Sequence, residues 1–268
     1  MIYCKNDLGK KVNINNFNNK DCCVVLDFDK TITTKTSANS WTVLESEEGF
    51  CAEVHKEAME YVNYYAPIEI DYDMPLEKRM EKVIEWYRRN MDLFYDYNLT
   101  EDILYHCIDI AKLDFRDGLR ELFKWCHDNN IIVVIVSAGI RNVIVELLKR
   151  ENCYYDNIQI LSNNLSFENG KMKRFEDDLI HTYNKNMDRL QSDIKEKIEN
   201  ISNILLFGDL IEDIGIVDDK DLYKTLTVAF LETNVEDNLD NYQESYDIVL
   251  TDEDATFSKA MEIIKLKE

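Results

Sequence analysis

The fold is decided by one stretch of the sequence, Cys22-Cys23-Val24-Val25-Leu26-Asp27-Phe28-Asp29-Lys30-Thr31-Ile32-Thr33. Its uninterrupted apolar start is typical of a strand buried on both faces of a parallel sheet, here over about residues 22–28. Two acids one residue apart, Asp27 and Asp29, follow that apolar run. Ligands of such sheets bind beyond the carboxyl ends of the strands, so these acids lie where chemistry is usually done. The stretch alone is equally compatible with an exposed acidic turn.

The apolar pattern along the second half of the chain predicts an α/β fold. From about residue 115, strand segments alternate with helical segments, as in a parallel sheet covered by helices. The predicted strands are 131–136, 158–161, 204–207, 226–231 and 248–250, and the predicted helices are 119–126, 140–150 and a last one from about residue 255. Asn169-Gly170 predicts a hairpin on this framework. The Asn-rich first twenty residues are predicted to be a lead-in with one short edge strand.

About eighty residues of helical pattern separate the first strand from this alternation. Apolar residues recur at helical spacing in 54–65 and 76–87, and Thr100 is placed to cap a further helix. Pro67 and Pro75 predict an irregular link between two of these helices. We interpret residues 36–113 as an α-helical cap domain inserted into a core domain of residues 1–35 and 114–268. Helices that only cover one face of the sheet are the alternative.

Composition and charge exclude some classes of partner. The formal net charge of -22 argues against binding a nucleic acid polymer or an anionic membrane, because both need a basic face. A small anionic substrate would need a local cation, either a metal ion or a lysine. The seven scattered cysteines include no CxxC pair, which favours free thiols in a reducing cytosol. With no apolar signal core and no apolar run long enough to cross a bilayer, a soluble cytoplasmic protein is expected.

Three further segments place polar groups at the ends of predicted strands. Ser137 and Ala138 follow one strand and precede a helix, whose N-terminal N–H groups could hold an anion. Asp209 and Asp213 follow another strand and offer carboxylates for a hard divalent ion. Between them in sequence, Lys185 offers a point charge for phosphate. Taken singly they are more often a helix cap, a turn residue and a surface lysine, but together they indicate one site.

These segments resemble the four motifs of the haloacid dehalogenase (HAD) superfamily of phosphohydrolases. The motifs correspond to Asp27-Phe28-Asp29-Lys30-Thr31, Ser137, Lys185 and the segment from Gly208-Asp209 to Asp213. From about residue 22 to the end, the chain is also similar to the cytosolic pyrimidine 5′-nucleotidase family. That similarity is carried by Tyr64-Tyr65-Ala66 with Glu69, Glu85-Trp86-Tyr87, Ser137-Ala138-Gly139-Ile140, 181–185 and 245–250. The resemblance implies a Rossmann-like core, with a mostly parallel sheet flanked by helices, and an inserted α-helical cap.

The resemblance implies a Mg²⁺-dependent phosphomonoester hydrolase. Asp27 would be the nucleophile that forms an aspartyl-phosphate, and Asp29 would act as general acid and then general base. Mg²⁺ would bind the Asp27 carboxylate, the Asp29 backbone carbonyl and Asp209, with Asp213 in support. The phosphoryl oxygens would be held by Ser137, the Ala138 amide and Lys185.

The expected substrate is a small phosphorylated metabolite, first of all a nucleoside 5′-monophosphate with a pyrimidine base. Glu69 would accept hydrogen bonds from the base, and Asn90 stands where the family has a serine that helps to read it. Trp41 and Trp86 are candidates for the base-stacking aromatic residue. Another small phosphomonoester, such as phosphoserine or a sugar phosphate, is the alternative substrate. A catalytically silent nucleotide-binding protein is a third hypothesis, and the sequence carries no prediction of oligomeric state.

Overall fold

The computed structural model describes residues 1–5, 21–71 and 73–265. Within these ranges the strands are β1 (Ile2–Cys4), β2 (Cys22–Leu26), β3 (Ile132–Ile140), β4 (Ile158–Asn163), β5 (Phe167–Glu168), β6 (Lys171–Met172), β7 (Asn203–Gly208), β8 (Thr225–Leu231) and β9 (Ile248–Thr251). The α-helices are α1 (Ser40–Leu44), α2 (Ala52–Glu69), α3 (Leu76–Asp96), α4 (Glu101–Ile110), α5 (Leu119–Asp128), α6 (Arg141–Arg150), α7 (Ser192–Glu199), α8 (Val235–Ser245) and α9 (Phe257–Ile264). Most of the predicted Asn-rich lead-in lies outside the described residues.

Seven of these strands form one sheet in the order β1-β9-β8-β7-β2-β3-β4. The neighbouring strands are parallel, apart from β1, which pairs antiparallel with β9 at the edge. β2 lies between β7 and β3, and Leu26 pairs with Phe207 on one side and Ile135 on the other. The predicted α/β fold with a mostly parallel sheet is therefore confirmed, as is the short edge strand.

Apolar side chains cover both faces of the sheet. Along β2 they alternate with the period of two expected for a strand. Val24 and Leu26 pack on the face covered by α5, α6 and α9, while Cys23 and Val25 pack on the opposite face with Ile194 and Ile198 of α7. Every residue of β2 is buried, which fixes the position of the loop that follows it.

The helices α1–α4, which we call the inserted helices, come between β2 and β3 in the chain. Their buried residues, among them Leu44, Val54 and Phe94, form a separate apolar cluster that also includes Ile140 at the end of β3 and Val143 of α6. Thr100 caps α4 as predicted, because its hydroxyl accepts a hydrogen bond from the Ile103 N–H. The division into a core domain and a cap domain stays a prediction.

The irregular link predicted between Pro67 and Pro75 does not begin at Pro67. Pro67 lies inside α2, which continues to Glu69, and α3 begins at Leu76, directly after Pro75. A proline in the last turn of a long helix removes only one backbone hydrogen bond, which the rest of α2 can tolerate.

The predicted Asn169-Gly170 hairpin is present as β5–β6. Both turn residues are left-handed, with φ values of 52° and 76°, as a two-residue hairpin of this type requires.

Candidate active site

Asp27, the predicted nucleophile, is the first residue after β2. Its backbone N–H donates to the Phe207 carbonyl over 3.1 Å, so the residue stays in register with β7 at the carboxyl edge of the sheet. The residue is 4% exposed, and its Oδ1 accepts a hydrogen bond from Lys185 Nζ at 2.8 Å. Burial raises the pKa of Asp27 to about 7, although the Lys185 ammonium acts in the opposite direction.

Lys185 lies between two buried acids. Its Nζ is 2.8 Å from Asp27 Oδ1 and 2.5 Å from Asp213 Oδ1, and it is 6% exposed. Burial acts to lower the pKa of Lys185, but the carboxylates of Asp213 and Asp27 raise it well above the ordinary value. The reading of Lys185 as one of many surface lysines is therefore wrong. It is a buried cation in direct contact with the predicted nucleophile.

Three carboxylates meet at the ends of β2 and β7. Oxygen atoms of Asp27, Asp209 and Asp213 lie within 4.8 Å of one another. Thr31 Oγ1 donates to Asp209 Oδ1 at 3.0 Å, and Asp213 Oδ2 accepts from the Asp209 and Leu210 N–H groups at 3.0 and 2.9 Å. Burial, together with the charges of Asp213 and Asp27, raises the pKa of Asp209 well above its ordinary value. Hard oxygen ligands that repel one another in this way fit a divalent cation.

Asp29, the predicted general acid, forms hydrogen bonds with the first of the inserted helices. Its Oδ1 accepts from the Ser40 N–H at 2.9 Å and its Oδ2 from Ser40 Oγ at 2.8 Å. Ser40 Oγ also accepts from the Ile140 N–H at 3.2 Å, which ties the first turn of α1 to the end of β3. Burial raises the pKa of Asp29, and the hydrogen bonds from Ser40 lower it. The two predicted catalytic acids therefore have separate partners.

Ser137 lies inside β3, which continues past the predicted strand end at 136 as far as Ile140, with an irregularity in its pairing with β4. The Ser137 hydroxyl accepts from the Gly139 N–H at 3.0 Å. The helix α6 begins at Arg141 with Ile140 as its N-cap residue, so the predicted helix after this segment is confirmed, whereas the reading of Ser137 as a helix cap is wrong. The Ala138 carbonyl accepts from Trp41 Nε1 at 3.1 Å, which attaches α1 to this segment.

The two predicted base-reading residues have different surroundings. Glu69 is half-buried at the end of α2, and its Oε1 accepts from Thr182 Oγ1 at 2.9 Å. Burial raises the pKa of Glu69 and the Thr182 hydrogen bond lowers it. Asn90 is buried within the inserted helices, where its Nδ2 donates to Glu45 Oε1 at 2.9 Å.

The two tryptophan candidates also differ. The Trp41 ring lies 5.0 Å from that of Tyr87 and bonds the Ala138 carbonyl, so it adjoins the predicted phosphate site. Trp86 stacks on the buried Tyr65 at 5.9 Å, which is an ordinary core contact. The structure thus favours Trp41 as the aromatic residue closer to the site.

Sequence reasoning did not find two groups that hold the loops of the site. The buried Arg116 donates to the carbonyls of Thr31 and Ala255 at 2.9 and 2.6 Å. Tyr242 and Tyr246 donate to the carbonyls of Asp209 and Leu210 at 2.7 and 2.5 Å. Tyr246 lies in one of the segments that carry the family resemblance, which could have revealed it, whereas the sequence around Arg116 has no such signal.

A cavity of about 800 Å³ opens beside Asp209. Ile70, which directly follows α2, contributes to its wall, as do Leu210 and Glu212 from the segment after β7. This volume is within the range of small-molecule sites and is large enough for a nucleotide.

Comparison with known proteins identifies the family. A family model described as pyrimidine 5′-nucleotidase (UMPH-1) matches residues 29–266. The chain belongs to the pyrimidine 5′-nucleotidase family. It is 30% identical over 235 residues to the human 7-methylguanosine phosphate-specific 5′-nucleotidase, an alignment that covers 85% of this chain and 78% of the relative. The predicted family resemblance is thus confirmed.

Solved structures agree with this membership. The crystal structure of cytosolic 5′-nucleotidase IIIB bound to cytidine matches with a TM-score of 0.85 at 25% identity, over 99% of this chain and 93% of that one. Phosphoserine phosphatase in its apo form matches with a TM-score of 0.55 at 17% identity, over 92% and 98%, which shows a common HAD fold. The family and the fold together make this protein a phosphoric monoester hydrolase that acts on a small phosphorylated substrate.

Proposed function

We propose that the protein is a Mg²⁺-dependent 5′-nucleotidase that hydrolyses nucleoside 5′-monophosphates through an aspartyl-phosphate on Asp27. The main support is the placement of the buried Lys185 between Asp27 and Asp213, 2.8 and 2.5 Å from their carboxylates, at the carboxyl edge of the sheet. The nucleophile and a fixed cation thus belong to one carboxylate cluster, and Asp209 of that cluster lines a cavity of nucleotide size. This is the combination that phosphoryl transfer to a carboxylate requires.

The chain's own residues can carry both chemical steps. The Asp27 carboxylate attacks phosphorus, and the bond between phosphorus and the nucleoside oxygen breaks while Asp29 donates a proton to that oxygen. Asp29 then takes a proton from the water that attacks the aspartyl-phosphate, which releases inorganic phosphate and restores Asp27. Ser40, through its two hydrogen bonds, holds Asp29 in place for both proton transfers. Ser137, the Ala138 amide and Lys185 hold the phosphoryl oxygens.

The carboxylates of Asp27, Asp209 and Asp213, with the Asp29 backbone carbonyl, are the proposed Mg²⁺ site. When bound there, the ion would offset the negative charge of the substrate phosphate and of the acids around it. Carboxylate and carbonyl oxygens are the ligands that Mg²⁺ prefers.

Residues 36–113 are the proposed cap domain, which closes over the nucleoside and sets specificity. Glu69 would accept hydrogen bonds from the base, Trp41 would stack on it, and Asn90 would contribute from the interior of the cap. The human relative is named for 7-methylguanosine phosphate and the matched crystal structure holds cytidine. Both a pyrimidine nucleotide and 7-methylguanosine monophosphate therefore belong among the substrates to be tested.

Glu69→Gln tests the nucleoside part of the proposal, because it removes the negative charge and keeps the shape of the side chain. We measure kcat/KM for cytidine, uridine and 7-methylguanosine 5′-monophosphates and, as a reference without a base, for ribose 5-phosphate. The ratio of nucleotide to ribose phosphate should fall about tenfold, as expected for loss of a charged hydrogen bond. Glu60→Gln, the same change on the exposed face of α2, is the control. An unchanged ratio in Glu69→Gln would show that the base is not read by Glu69.

A further inference from the structure

One short segment of the core contacts both halves of the proposed site. In residues 181–185, Asn184 Oδ1 accepts from the His181 N–H at 2.8 Å and the Asn184 N–H donates to the His181 carbonyl at 3.0 Å. The Tyr183 N–H donates to His181 Nδ1 at 3.2 Å. These three bonds close a compact turn, so its ends cannot move independently without breaking them.

The C-terminal end of this turn is Lys185, which bonds the proposed nucleophile. The middle of the turn faces the inserted helices. Thr182 Oγ1 donates to Glu69 Oε1 and Tyr183 Oη donates to the Glu69 carbonyl, both at 2.9 Å. Two consecutive residues of the core therefore hold the side chain and the backbone of the same glutamate.

We infer that Thr182 and Tyr183 are positioning residues that orient the Glu69 carboxylate for the nucleobase and connect base recognition to the segment carrying Lys185. This inference rests on the proposed function, in which Glu69 reads the base. It assigns a role in specificity to two residues that contact Glu69 directly.

The hydrogen bond from Tyr183 satisfies a backbone carbonyl at the end of α2. Glu69 is its last residue, so the Glu69 carbonyl has no partner further along the helix. The Tyr183 hydroxyl supplies one donor, and Arg79 Nη1 supplies another at 3.3 Å. The Arg79 guanidinium also lies 5.7 Å from the centre of the Tyr183 ring, which keeps this contact in place.

The hydroxyl of Thr182 acts on the side chain itself. A glutamate loses rotamer freedom when it binds a ligand, and a hydrogen bond already present in the free protein removes part of that cost. With Oε1 held by Thr182, the carboxylate has a fixed orientation before the base arrives. Loss of this bond should therefore weaken binding of the base more than it slows the chemical step.

Thr182→Val removes the hydroxyl with little change in shape, and Thr182→Ser restores it. In Thr182→Val, the ratio of kcat/KM for the best nucleotide to that for ribose 5-phosphate should fall about tenfold, mostly through KM, and Thr182→Ser should recover most of it. Equal losses on both substrates would mean a structural role and would overturn the inference. Tyr183→Phe gives the same test on the backbone contact if the valine variant does not fold.

The pH dependence of nucleotide selectivity distinguishes a positioning role of Thr182 from a purely structural role. Burial raises the pKa of Glu69, the Thr182 hydrogen bond lowers it, and the charges of Glu212 and Lys185 raise and lower it respectively. The other ionisable groups facing Glu69 are Arg79, at its carbonyl, Tyr183 and Tyr87. Without the Thr182 hydroxyl the pKa of Glu69 rises, so nucleotide selectivity should disappear at a higher pH on acidification than in the wild type. An unshifted profile would contradict the inference.

A double variant that combines Thr182→Val with Glu69→Gln tests whether Thr182 acts through Glu69. If Thr182 acts through Glu69, Thr182→Val should cause no further loss of selectivity in a Glu69→Gln background. A full additional loss would overturn the inference and leave the proposed function intact. If Glu69→Gln alone leaves selectivity unchanged, then base reading by Glu69 fails, and the inference fails with it.

Discussion

Gly139 shows how closely the residues around Asp29 are packed. A Cβ atom at this position would overlap Ser40 Oγ and lie 2.9 Å from Asp29 Oδ2 and 3.1 Å from Ser137 Oγ. These three oxygen atoms belong to the proposed acid, the residue that holds it and the proposed phosphate ligand. Only a residue without a side chain fits at the place where α1, β3 and the loop after β2 meet.

Gly139→Ala should therefore impair catalysis more than folding. The methyl group must displace Ser40 Oγ, which removes its hydrogen bond to Oδ2 of the proposed general acid, and it must also push against Oδ2 itself. We expect kcat to fall by a factor of about 10² to 10⁴, the usual contribution of general acid–base catalysis, measured as phosphate release at saturating substrate. Gly215→Ala is the matched control, because a Cβ atom there meets nothing within 4 Å. Equal activity of the two variants would contradict the assigned role of Asp29.

Glu45 is a buried acid that the proposed chemistry does not use. It is 6% exposed, and burial raises its pKa to about 7 while Asn90 Nδ2 donates to it. Because the folded protein holds the proton more tightly than the unfolded chain does, Glu45 destabilises the fold increasingly as the pH rises from about 4.5 through 7.

Glu45→Gln should stabilise the protein at pH 8 and have little effect at pH 5. The gain at pH 8 has an upper limit of about 3 kcal/mol in the free energy of unfolding, given about 1.4 kcal/mol per pKa unit, and should raise Tm by several degrees. Thermal unfolding followed by circular dichroism at both pH values measures it. A larger gain at pH 5 than at pH 8 would contradict the raised pKa.

At the residue scale, the sequence predicts the side chains that directly follow a strand. It does not predict the side chains that contact them from distant parts of the chain. Asp27 and Asp209 can be placed because each directly follows an apolar strand. Ser40 donates to Asp29 from a helix eleven residues away, and Arg116 reaches Thr31 across 85 residues. Such contacts depend on the packing of separate elements, which the local pattern does not encode.

The loop after β2 is the element on which the proposed site most depends. Within it, Lys30 adopts a left-handed conformation with φ of 67°, which costs a side-chain-bearing residue about 1 kcal/mol or more. The Lys30 N–H donates to Thr33 Oγ1 at 2.9 Å, and the Lys30 carbonyl accepts from Arg116 Nη2. Arg116 also pairs with Glu232 at 2.8 Å. One buried guanidinium thus connects this loop with the loops after β8 and β9.

Arg116→Met should destabilise the protein by about 3–5 kcal/mol, because it leaves the mostly buried Glu232 carboxylate and several carbonyls without their donor. Urea denaturation measures the change, and activity should fall as the loop after β2 loses its support. Arg120→Met is the control, since that side chain is 57% exposed and its ion pair with Glu151 contributes little. Similar stabilities for the two variants would contradict the role given to Arg116.

At the element scale, strands and helices were predictable where one periodicity dominates. β2, β7, β8 and β9 are short apolar runs, and α3 and α5 are strongly amphipathic. The exceptions are positions where tertiary contacts decide the backbone. β3 continues past Val136 because Ile140 pairs again with Asn163 of β4 after an irregularity, and α2 passes through Pro67 because its other turns stabilise it.

The whole molecule combines a strongly acidic surface with one buried cation at the proposed phosphate site. The formal charge of -22 gives a repulsive field for a phosphate dianion, and Lys185 counters it only at short range. Among the described helices, none is long and apolar enough to cross a bilayer.

This charge distribution predicts the effect of salt on association with substrate. Between about 10 and 150 mM NaCl the Debye length falls from roughly 30 to 8 Å, which screens the surface acids more than the buried lysine. At constant Mg²⁺, kcat/KM for a nucleoside monophosphate should rise roughly threefold, while kcat changes little. A steep fall in kcat/KM with salt would instead indicate an attractive basic surface around the cavity.

The central claim is that Asp27 is the nucleophile of a metal-dependent 5′-nucleotidase. The most direct test measures phosphate release by the wild type and by Asp27→Asn, each with Mg²⁺ and with EDTA. Its substrates are pyrimidine and 7-methylguanosine 5′-monophosphates, phosphoserine and ribose 5-phosphate. We expect release that requires Mg²⁺, is fastest on a nucleoside monophosphate and is absent in Asp27→Asn. Turnover that persists in Asp27→Asn, or that is unaffected by EDTA, would contradict the claim.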